Sequence, residues 1–410
     1  MRTALRALAI ALAVVILAAA CTGADEQHGP EAQGEPQPEP QAGLGAGVGE
    51  LPTDVRTVPD PLPEGVPGDL IALAPRRAPD VPPGAQAWDL LYRSEGVEGD
   101  AVAVSGRVYA PEGPAPEGGR PVVSWAHGTV GVADGCAPSR TGDDVPALDQ
   151  LLDAGYVVAA TDYEGLGTPG THPYLVGESE GRSVLDAARA ASRIERAGAG
   201  SRVVAAGHSQ GGHAVLFAGS LVEDYASELD LLGVVASAPA AELTTLLRSA
   251  VPISLAFGLV ASAIYAYDQI YDELVLEDVL TPAAIERIGV VEEECVQGVT
   301  DAFSDQRTSV WLVDNPLDVE PWAARVAENE PGSTEIPAPV LVVQGTNDFV
   351  VLASSTDTAI GRLCDGGNTI DYRRYPGAVH GDVLVEAGPE ILAWVGERIT
   401  GADARSTCGG

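Results

Sequence analysis

The chain has 410 residues and a formal net charge of −36, because 59 acidic side chains face only 23 basic ones, all of them arginine. A surface of this sign repels phosphate backbones, which argues against a nucleic-acid partner. Hydrophobic residues make up 45% of the sequence, enough for most of the chain to fold around a core.

Residues 1–20 are typical of an export signal. Arg2 and Arg6 precede an uncharged apolar run over residues 7–20, which is shorter than the roughly 20 residues that span a membrane. The run ends at Cys21 in Leu-Ala-Ala-Ala-Cys, which resembles a lipoprotein box whose cysteine thiol receives a diacylglycerol. The alternative is a plain secretory signal that is cleaved in its alanine-rich stretch. We therefore expect an exported protein, either a cell-surface lipoprotein or a secreted one.

The next segment, residues 21–68, begins with the candidate lipidated cysteine. Residues 22–68 hold nine acidic residues, nine prolines and one arginine, without hydrophobic periodicity. Proline and charge repulsion extend such a segment, and it has little to bury. We predict a disordered tether that ends at Gly68, with the folded part beginning at Asp69.

The remaining cysteines are even in number, as expected for an exported chain with two disulfides. They can pair in three ways, and they are Cys136, Cys295, Cys364 and Cys408. None of them has the close C-x₂₋₄-C spacing of a zinc site, so we expect no metal.

The folded part begins with two predicted antiparallel strands and continues with apolar runs that alternate with helical segments. The antiparallel strands are residues 88–94 and 101–110, and the later runs are residues 122–126, 156–161, 202–207, 232–238, 340–344 and 370–375. The helical segments include residues 178–196, 210–225, 354–364 and 386–399. Strands without polar alternation, separated by helices, predict an α/β fold with a mostly parallel central sheet flanked by helices.

One interval, residues 240–336, is too long for a loop and indicates a helical cap inserted into the sheet domain. The core is then divided into residues 69–239 and 337–410. Within the interval, residues 249–267 carry no charge and are long enough to span a membrane. Because this stretch lies between two strands of one sheet, we expect a buried or lipid-contacting cap helix instead.

The most informative motif is Gly-His-Ser-Gln-Gly over residues 207–211. It follows an apolar strand and opens a helix, which is the context that makes G-x-S-x-G a nucleophile elbow. The turn is so tight that only small residues fit two places on either side of the serine. We therefore predict Ser209 as the nucleophile, exposed above the sheet at the start of a helix.

A serine hydroxyl needs a base, and in this fold the chain order is serine, acid, histidine. Of the six histidines, only His213 and His380 follow Ser209. His213 belongs to the elbow helix, so we predict His380, in a loop after the last strand, as the base. Asp348 follows the preceding strand and is the predicted acid, with Asp357 in the next helix as the alternative.

The oxyanion of the transition state needs two N–H donors. The amide of Gln210, directly after the nucleophile, is the first. The second should come from the His-Gly-Thr loop that follows the strand over residues 122–126, with Thr129 preferred and Gly128 second. We expect His127 to have a structural role in that loop, and His208 to pack beside the elbow.

These stretches together resemble the secretory lipase family of α/β-hydrolases. The matching stretches are residues 124–129, 161–167, 207–213, 329–332, 344–348 and 377–380. The resemblance implies a cap over an acyl-binding tunnel, hydrolysis of carboxylic esters such as acylglycerols, and a triad of Ser209, Asp348 and His380. It also implies a disulfide between the loop after the third predicted strand and the cap, which favours Cys136–Cys295, with Cys364–Cys408 as the second pair.

The leading hypothesis is a surface-anchored lipase or esterase that works without a cofactor or metal and binds a small ester or lipid. We expect a monomer whose membrane contact runs through the N-terminal lipid. An exopeptidase or acyltransferase could use the same triad, although the uncharged cap segment favours an acyl chain. A non-catalytic binding lipoprotein is the third possibility, but it would have no use for an intact triad.

Overall fold

The computed structural model describes residues 51–77, 81–142, 145–332 and 334–409. The export signal and Cys21 lie outside these residues, as does the tether up to residue 50.

Over residues 51–68 the structure differs from the predicted disorder. Val55, Val58 and Leu62 pack against a small apolar cluster at the sheet edge, and Arg93 donates to the Pro63 carbonyl over 2.7 Å. Charge and proline content alone miss this packing, because it depends on contacts with distant strands.

Nine strands form one sheet in the order β1-β2-β3-β5-β4-β6-β7-β8-β9. Their bounds are β1 Leu70–Arg76, β2 Ala85–Glu95, β3 Ala101–Pro111, β4 Arg120–Ala126, β5 Val157–Glu164, β6 Ala199–His208, β7 Asp230–Ser237, β8 Val340–Gly345 and β9 Ile370–Tyr375. The pairs among β1, β2, β3 and β5 are antiparallel, and those from β5 through β4 to β9 are parallel. The edge strand β1 is absent from the sequence prediction, because its short apolar stretch contains Pro75 and follows a proline-rich segment.

Helices cover both faces of the sheet. They are α1 Pro138–Thr141, α2 Leu148–Asp153, α3 Gly177–Ser192, α4 Gln210–Tyr225, α5 Leu243–Ala250, α6 Phe257–Ile270, α7 Pro282–Arg287, α8 Val296–Ser304, α9 Trp322–Glu328, α10 Ala353–Asp365 and α11 Asp382–Ile399. Helices α3, α4 and α10 share one apolar cluster with the sheet, and α2 and α11 share another on the opposite face. In β6, Val203 and Val204 enter opposite clusters, as the two-residue period of a strand requires. The predicted α/β fold with a mostly parallel sheet is confirmed.

Between β7 and β8 lie helices α5–α9, which share a separate apolar cluster. The predicted helix over residues 249–267 is divided. Helix α5 ends at Ala250, Pro252 stands in the following turn, and α6 begins at Phe257. A proline in a helix interior removes a hydrogen bond and clashes with the preceding turn, which explains the break. No helix within the described ranges is both long and apolar enough to cross a membrane.

Both expected disulfides are present, Cys136–Cys295 and Cys364–Cys408, with Cα atoms 5.5 Å and 5.4 Å apart. The first joins the segment after β4 to the start of α8. Beside it the Val296 N–H donates to the Val130 carbonyl over 2.8 Å. The segment after β4 and the helices between β7 and β8 are therefore covalently linked.

The two ends of the interval between β7 and β8 meet at Arg362 of α10. Its guanidinium donates to the Ala241 carbonyl over 2.8 Å and to the Pro331 carbonyl over 3.0 Å. Glu242 and Glu330 form ion pairs with the same side chain. One arginine of the core thus holds both connections to the cap.

Candidate active site

The strand β6 and the helix α4 meet at Ser209, whose φ of 59° and ψ of −114° are strained for a residue with a side chain. The two flanking glycines make this turn possible. A Cβ on Gly207 would lie 2.2 Å from the Gly211 carbonyl oxygen, and a Cβ on Gly211 would lie 1.9 Å from the Ala126 carbonyl oxygen. Both positions therefore exclude every larger residue, and the turn presents Ser209 at the start of the helix.

The loop after β9 brings His380 to the elbow. Its Nε2 lies 2.9 Å from the Ser209 Oγ, and its Nδ1 lies 2.7 Å from Asp348 Oδ2. Because an ionised carboxylate only accepts, the Nδ1–H donates to Asp348, which leaves Nε2 free to accept the serine proton. The three side chains therefore form one chain of hydrogen bonds.

Asp348 lies in the turn after β8 and is 3% exposed. Its Oδ1 accepts the backbone N–H groups of Val350 and Val351 over 2.8 Å and 2.9 Å. Its Oδ2 accepts from Gln344 Nε2 over 3.1 Å as well as from His380. These donors compensate the burial of a negative charge. The alternative acid, Asp357, lies in α10 and accepts from the Tyr372 hydroxyl instead.

The loop after β4 lies against Ser209. A Cβ on Gly128 would be 3.6 Å from the Ser209 Cβ, and the Thr129 hydroxyl is 2.9 Å from the Tyr174 hydroxyl. Gln210 is the first residue of α4, whose first N–H groups have no partner within the helix. Gly128 and Gln210 thus adjoin Ser209, and Thr129 follows Gly128 in the same loop.

His208, which directly precedes Ser209, packs against His380. Its ring is 4.5 Å from the His380 ring, and its Nε2–H donates to the His380 carbonyl over 3.0 Å. Burial lowers the pKa of His208 to about 4, so the ring is neutral near pH 7. The neutral ring keeps the His380 backbone in place without adding a charge next to the base.

A buried polar network beneath the elbow escapes the sequence analysis. Glu180 of α3 is fully buried and accepts from Gln210 Nε2 over 2.7 Å, while its other oxygen is 2.8 Å from His213 Nδ1. His213 Nε2 in turn lies 2.8 Å from the Asn329 carbonyl. Glutamate on an amphipathic helix usually faces solvent, so no sequence signal marks this one as buried.

The rim of the site is apolar. Phe349, next to the acid, is 70% exposed, and Val379, next to the base, is 39% exposed. Contiguous exposed apolar patches mark binding grooves or interaction surfaces, whereas single exposed apolar side chains are common. Within the described part of the chain, no group of three or more histidine, cysteine or acidic residues is placed to hold a metal.

The chain is similar in sequence to known lipases. The family model described as secretory lipase matches residues 136–407. A secreted triacylglycerol lipase of Malassezia globosa is 26% identical over 374 residues, covering 83% of this chain and 78% of the relative. A probable inactive lipase of Mycobacterium tuberculosis is 27% identical over 341 residues, covering 78% and 75%.

Two further comparisons concern length and fold. Lipase A of Arthroderma benhamiae is 25% identical over 272 residues, which cover 64% of this chain but only 56% of that relative. Candida antarctica lipase A in its closed state superposes with a TM-score of 0.73 at 19% identity, covering 84% of this chain and 85% of the other. The chain therefore belongs to the secretory lipase family of α/β-hydrolases, a family of carboxylic ester hydrolases.

Proposed function

We propose that the chain is a lipase or esterase that hydrolyses carboxylic esters, acylglycerols among them, through Ser209. The observation that carries the proposal is the run of hydrogen bonds from Ser209 through His380 to Asp348, at 2.9 Å and 2.7 Å. A hydroxyl at a strained elbow, hydrogen-bonded to an imidazole that is itself hydrogen-bonded to a carboxylate, supports acyl transfer.

In the proposed first step, the Ser209 Oγ attacks the ester carbonyl carbon and its proton passes to His380 Nε2. Asp348 stabilises the imidazolium that forms. The carbonyl oxygen becomes an oxyanion, which accepts from the Gln210 N–H and from an N–H of the loop that holds Gly128 and Thr129. The intermediate collapses to an acyl-enzyme, and the alcohol leaves with the proton from His380.

In the second step, water attacks the acyl-enzyme while His380 accepts the water proton. A second oxyanion forms in the same place and collapses as the Ser209 oxygen leaves with the proton from His380. The carboxylic acid is released, and the free serine hydroxyl is restored. The cycle uses only groups of this chain and water.

The proposed substrate class rests on the apolar surroundings and on the family. Phe349 and Val379 border the site, and the helices between β7 and β8 present an apolar interior. A relative named a triacylglycerol lipase points to the same class. We propose further that the protein acts outside the cytoplasm as a monomer, anchored through a lipid on Cys21 or released after signal cleavage.

Two alternative functions predict different results in activity and labelling assays. An exopeptidase or acyltransferase on the same triad would prefer aminoacyl amides, or would transfer the acyl group to an acceptor other than water. A non-catalytic binding lipoprotein is favoured by one observation, the similarity to a probable inactive lipase. Failure of a fluorophosphonate probe to label Ser209 would support this last alternative.

The test is a hydrolysis profile on p-nitrophenyl esters from acetate to oleate, with Ser209→Ala and Ser201→Ala in parallel. Ser201 lies exposed on β6, the strand that leads to Ser209, and serves as the matched control. We expect Ser209→Ala to abolish hydrolysis and Ser201→Ala to retain it. A rate maximum at long chains supports acylglycerols, since each buried CH₂ contributes roughly 0.8 kcal/mol. Full activity in Ser209→Ala would refute the mechanism.

A further inference from the structure

One segment, residues 162–174, contacts Thr129, Gln210 and the carbonyl of His127, which directly precedes Gly128. The Tyr163 hydroxyl donates to the His127 carbonyl over 2.9 Å, directly before Gly128. The Tyr174 hydroxyl lies 2.9 Å from the Thr129 hydroxyl. The catalytic steps proposed above give no role to this segment.

Tyr163 is held in an unfavourable conformation. It is fully buried with a φ of 68°, in the left-handed region that bulky residues avoid. Its ring packs 4.5 Å from the His127 ring, and its N–H donates to the Thr161 hydroxyl over 2.9 Å. Such strain persists only where the surrounding structure enforces it, and it concentrates at functional sites.

The hydrogen bond from the Tyr163 hydroxyl to the His127 carbonyl determines the direction of the Gly128 N–H. The C=O of residue 127 and the N–H of Gly128 belong to one rigid peptide plane and point in opposite directions. A hydroxyl that holds the carbonyl therefore fixes the Gly128 N–H as well.

The following peptide plane is held in the same way. His127 Nδ1 lies 2.7 Å from the Gly128 carbonyl, which shares its plane with the Thr129 N–H. Burial lowers the pKa of His127, so the ring is neutral and has one N–H to donate. The Nδ1 contact is shorter than the 3.3 Å from Nε2 to the Asp162 carbonyl, which places that proton on Nδ1.

The other donor residue is anchored by the same segment. The Gln210 Nε2 lies 2.9 Å from His172 Nε2, and His172 Nδ1 is 2.8 Å from the Glu164 carbonyl. The Nδ1–H donates to that carbonyl, so His172 Nε2 accepts from the Gln210 amide. Glu180 accepts from the same amide. The side-chain Nε2 of Gln210 is therefore bound to two partners.

We propose that Tyr163 is a positioning residue of the oxyanion hole, acting with His127 to hold two successive peptide planes so that their N–H groups face the reacting carbonyl. Tyr163 touches neither the substrate nor the triad, and its effect passes through the His127 peptide. The inference rests on the proposed function, because an oxyanion hole has a purpose only if Ser209 attacks a carbonyl.

The test is Tyr163→Phe, which keeps the ring and removes only the hydroxyl. Both steps of the reaction pass through an oxyanion, so kcat should fall whichever step limits the rate. We expect a loss of roughly tenfold, below the hundredfold to thousandfold that removal of a whole donor produces. KM on p-nitrophenyl butyrate should stay within about twofold, since the ground state makes little use of the hole.

A second measurement distinguishes an effect on the oxyanion hole from a general loss of stability. Phenylboronic acid adds to the Ser209 Oγ and presents a tetrahedral anion, so its Ki should rise in proportion to the loss of kcat/KM. The control is Tyr225→Phe, which removes a hydroxyl bound to Asp186 at the far end of α4, roughly 22 Å from Gln210. It should lower thermal stability while leaving kcat and Ki unchanged.

Other outcomes would overturn the inference. If Tyr163→Phe retains the wild-type kcat and Ki, the hydroxyl has no role in positioning. The same conclusion follows if Tyr225→Phe lowers kcat equally at equal loss of stability. Hydrolysis by Ser209→Ala tests the proposed function separately. An inactive Ser209→Ala together with an unaffected Tyr163→Phe would overturn the positioning role and leave the proposed function intact.

Discussion

The Asp348 carboxylate accepts hydrogen bonds on both oxygens, and this makes it sensitive to an isosteric change. An amide in its place has only one accepting oxygen. In Asp348→Asn, either the N–H groups of Val350 and Val351 or those of Gln344 and His380 would face an NH₂ group. The base would lose the partner that fixes its tautomer.

We therefore predict that Asp348→Asn lowers kcat on p-nitrophenyl esters by roughly a thousandfold to ten-thousandfold. The fold should be retained at a cost of about 1–3 kcal/mol for the mismatched donors. Steady-state kinetics and urea unfolding measure the two effects. The matched control is Asp357→Asn, which alters the alternative acid and should leave kcat within about twofold. A large loss in the control would mean that the acid is wrongly assigned.

The buried His208 predicts a dependence of stability on pH. Its folded pKa of about 4 lies below the ordinary value near 6.5, so between these values the unfolded chain binds more protons. The contribution of His208 to the free energy of unfolding is therefore fully present above pH 6.5 and is lost as the pH falls towards 4. From pH 7 to pH 5 the loss amounts to about 2 kcal/mol.

The variant His208→Gln keeps an N–H donor for the His380 carbonyl but cannot titrate. We expect its unfolding free energy, from urea denaturation, to fall by about 2 kcal/mol less than that of the wild type between pH 7 and pH 5. The carboxylates titrate alike in both proteins and cancel in this difference. Equal pH dependence in the two would contradict a buried, neutral His208.

Among the elements, the elbow between β6 and α4 depends most on a single residue type. A methyl group on Gly211 would overlap the Ala126 carbonyl oxygen at 1.9 Å and lie 2.8 Å from the His127 carbonyl oxygen. Either the helix or the oxyanion loop must then move.

We predict that Gly211→Ala lowers the unfolding free energy by about 3 kcal/mol and reduces ester hydrolysis at temperatures where the protein is still folded. Gly361→Ala is the control. That glycine lies in α10, where an added methyl group would meet nothing within 4 Å, so alanine should stabilise the protein by about 0.5–1 kcal/mol. Wild-type stability and activity in Gly211→Ala would show that the elbow is looser than the geometry indicates.

A sequence pattern is sufficient to locate some strands and helices but not others. The apolar runs at β6 and β8 identify those strands, because buried parallel strands need continuous hydrophobic residues. The apolar stretch over residues 249–267 predicts one continuous helix. This is wrong, because Pro252 separates α5 from α6. Edge strand β1 is missed, because its pairing with β2 supplies stability that its own sequence does not indicate.

At the scale of the whole molecule, the two disulfides differ in what they join. Cys136–Cys295 closes a loop of 159 residues between the oxyanion loop and the cap, and Cys364–Cys408 closes one of 44 residues near the C-terminus. Chain entropy alone gives upper contributions of about 5 and about 4 kcal/mol.

We predict that the double variant Cys136→Ala with Cys295→Ala loses both stability and kcat, because the oxyanion loop is no longer tied to the cap. The double variant Cys364→Ala with Cys408→Ala should lose stability alone. Thermal unfolding and kinetics at 25 °C on the two variants separate these effects. Equal kcat in both would mean that the first disulfide has no influence on the site.

Much of the candidate site follows from the sequence itself. The elbow motif specifies a strained turn through its glycines, and the order of serine, acid and histidine leaves few choices for each partner. The fold was predicted from the order of strands and helices, and the disulfide pairing from the resemblance to the secretory lipase family. The fold, the family and both disulfides are confirmed. Such features are local in sequence or limited in number, so a linear pattern contains enough information to identify them.

Tertiary structure alone decided the rest. The distances among Ser209, His380 and Asp348 depend on how three strand ends meet at one edge of the sheet. Three further features depend on partners far away in the chain. They are the burial of Glu180, the hydrogen bond from Tyr163 to the His127 carbonyl and the packing of residues 51–68. A side chain's environment is set by which distant segments cover it, and this is physical information that its sequence neighbours do not contain.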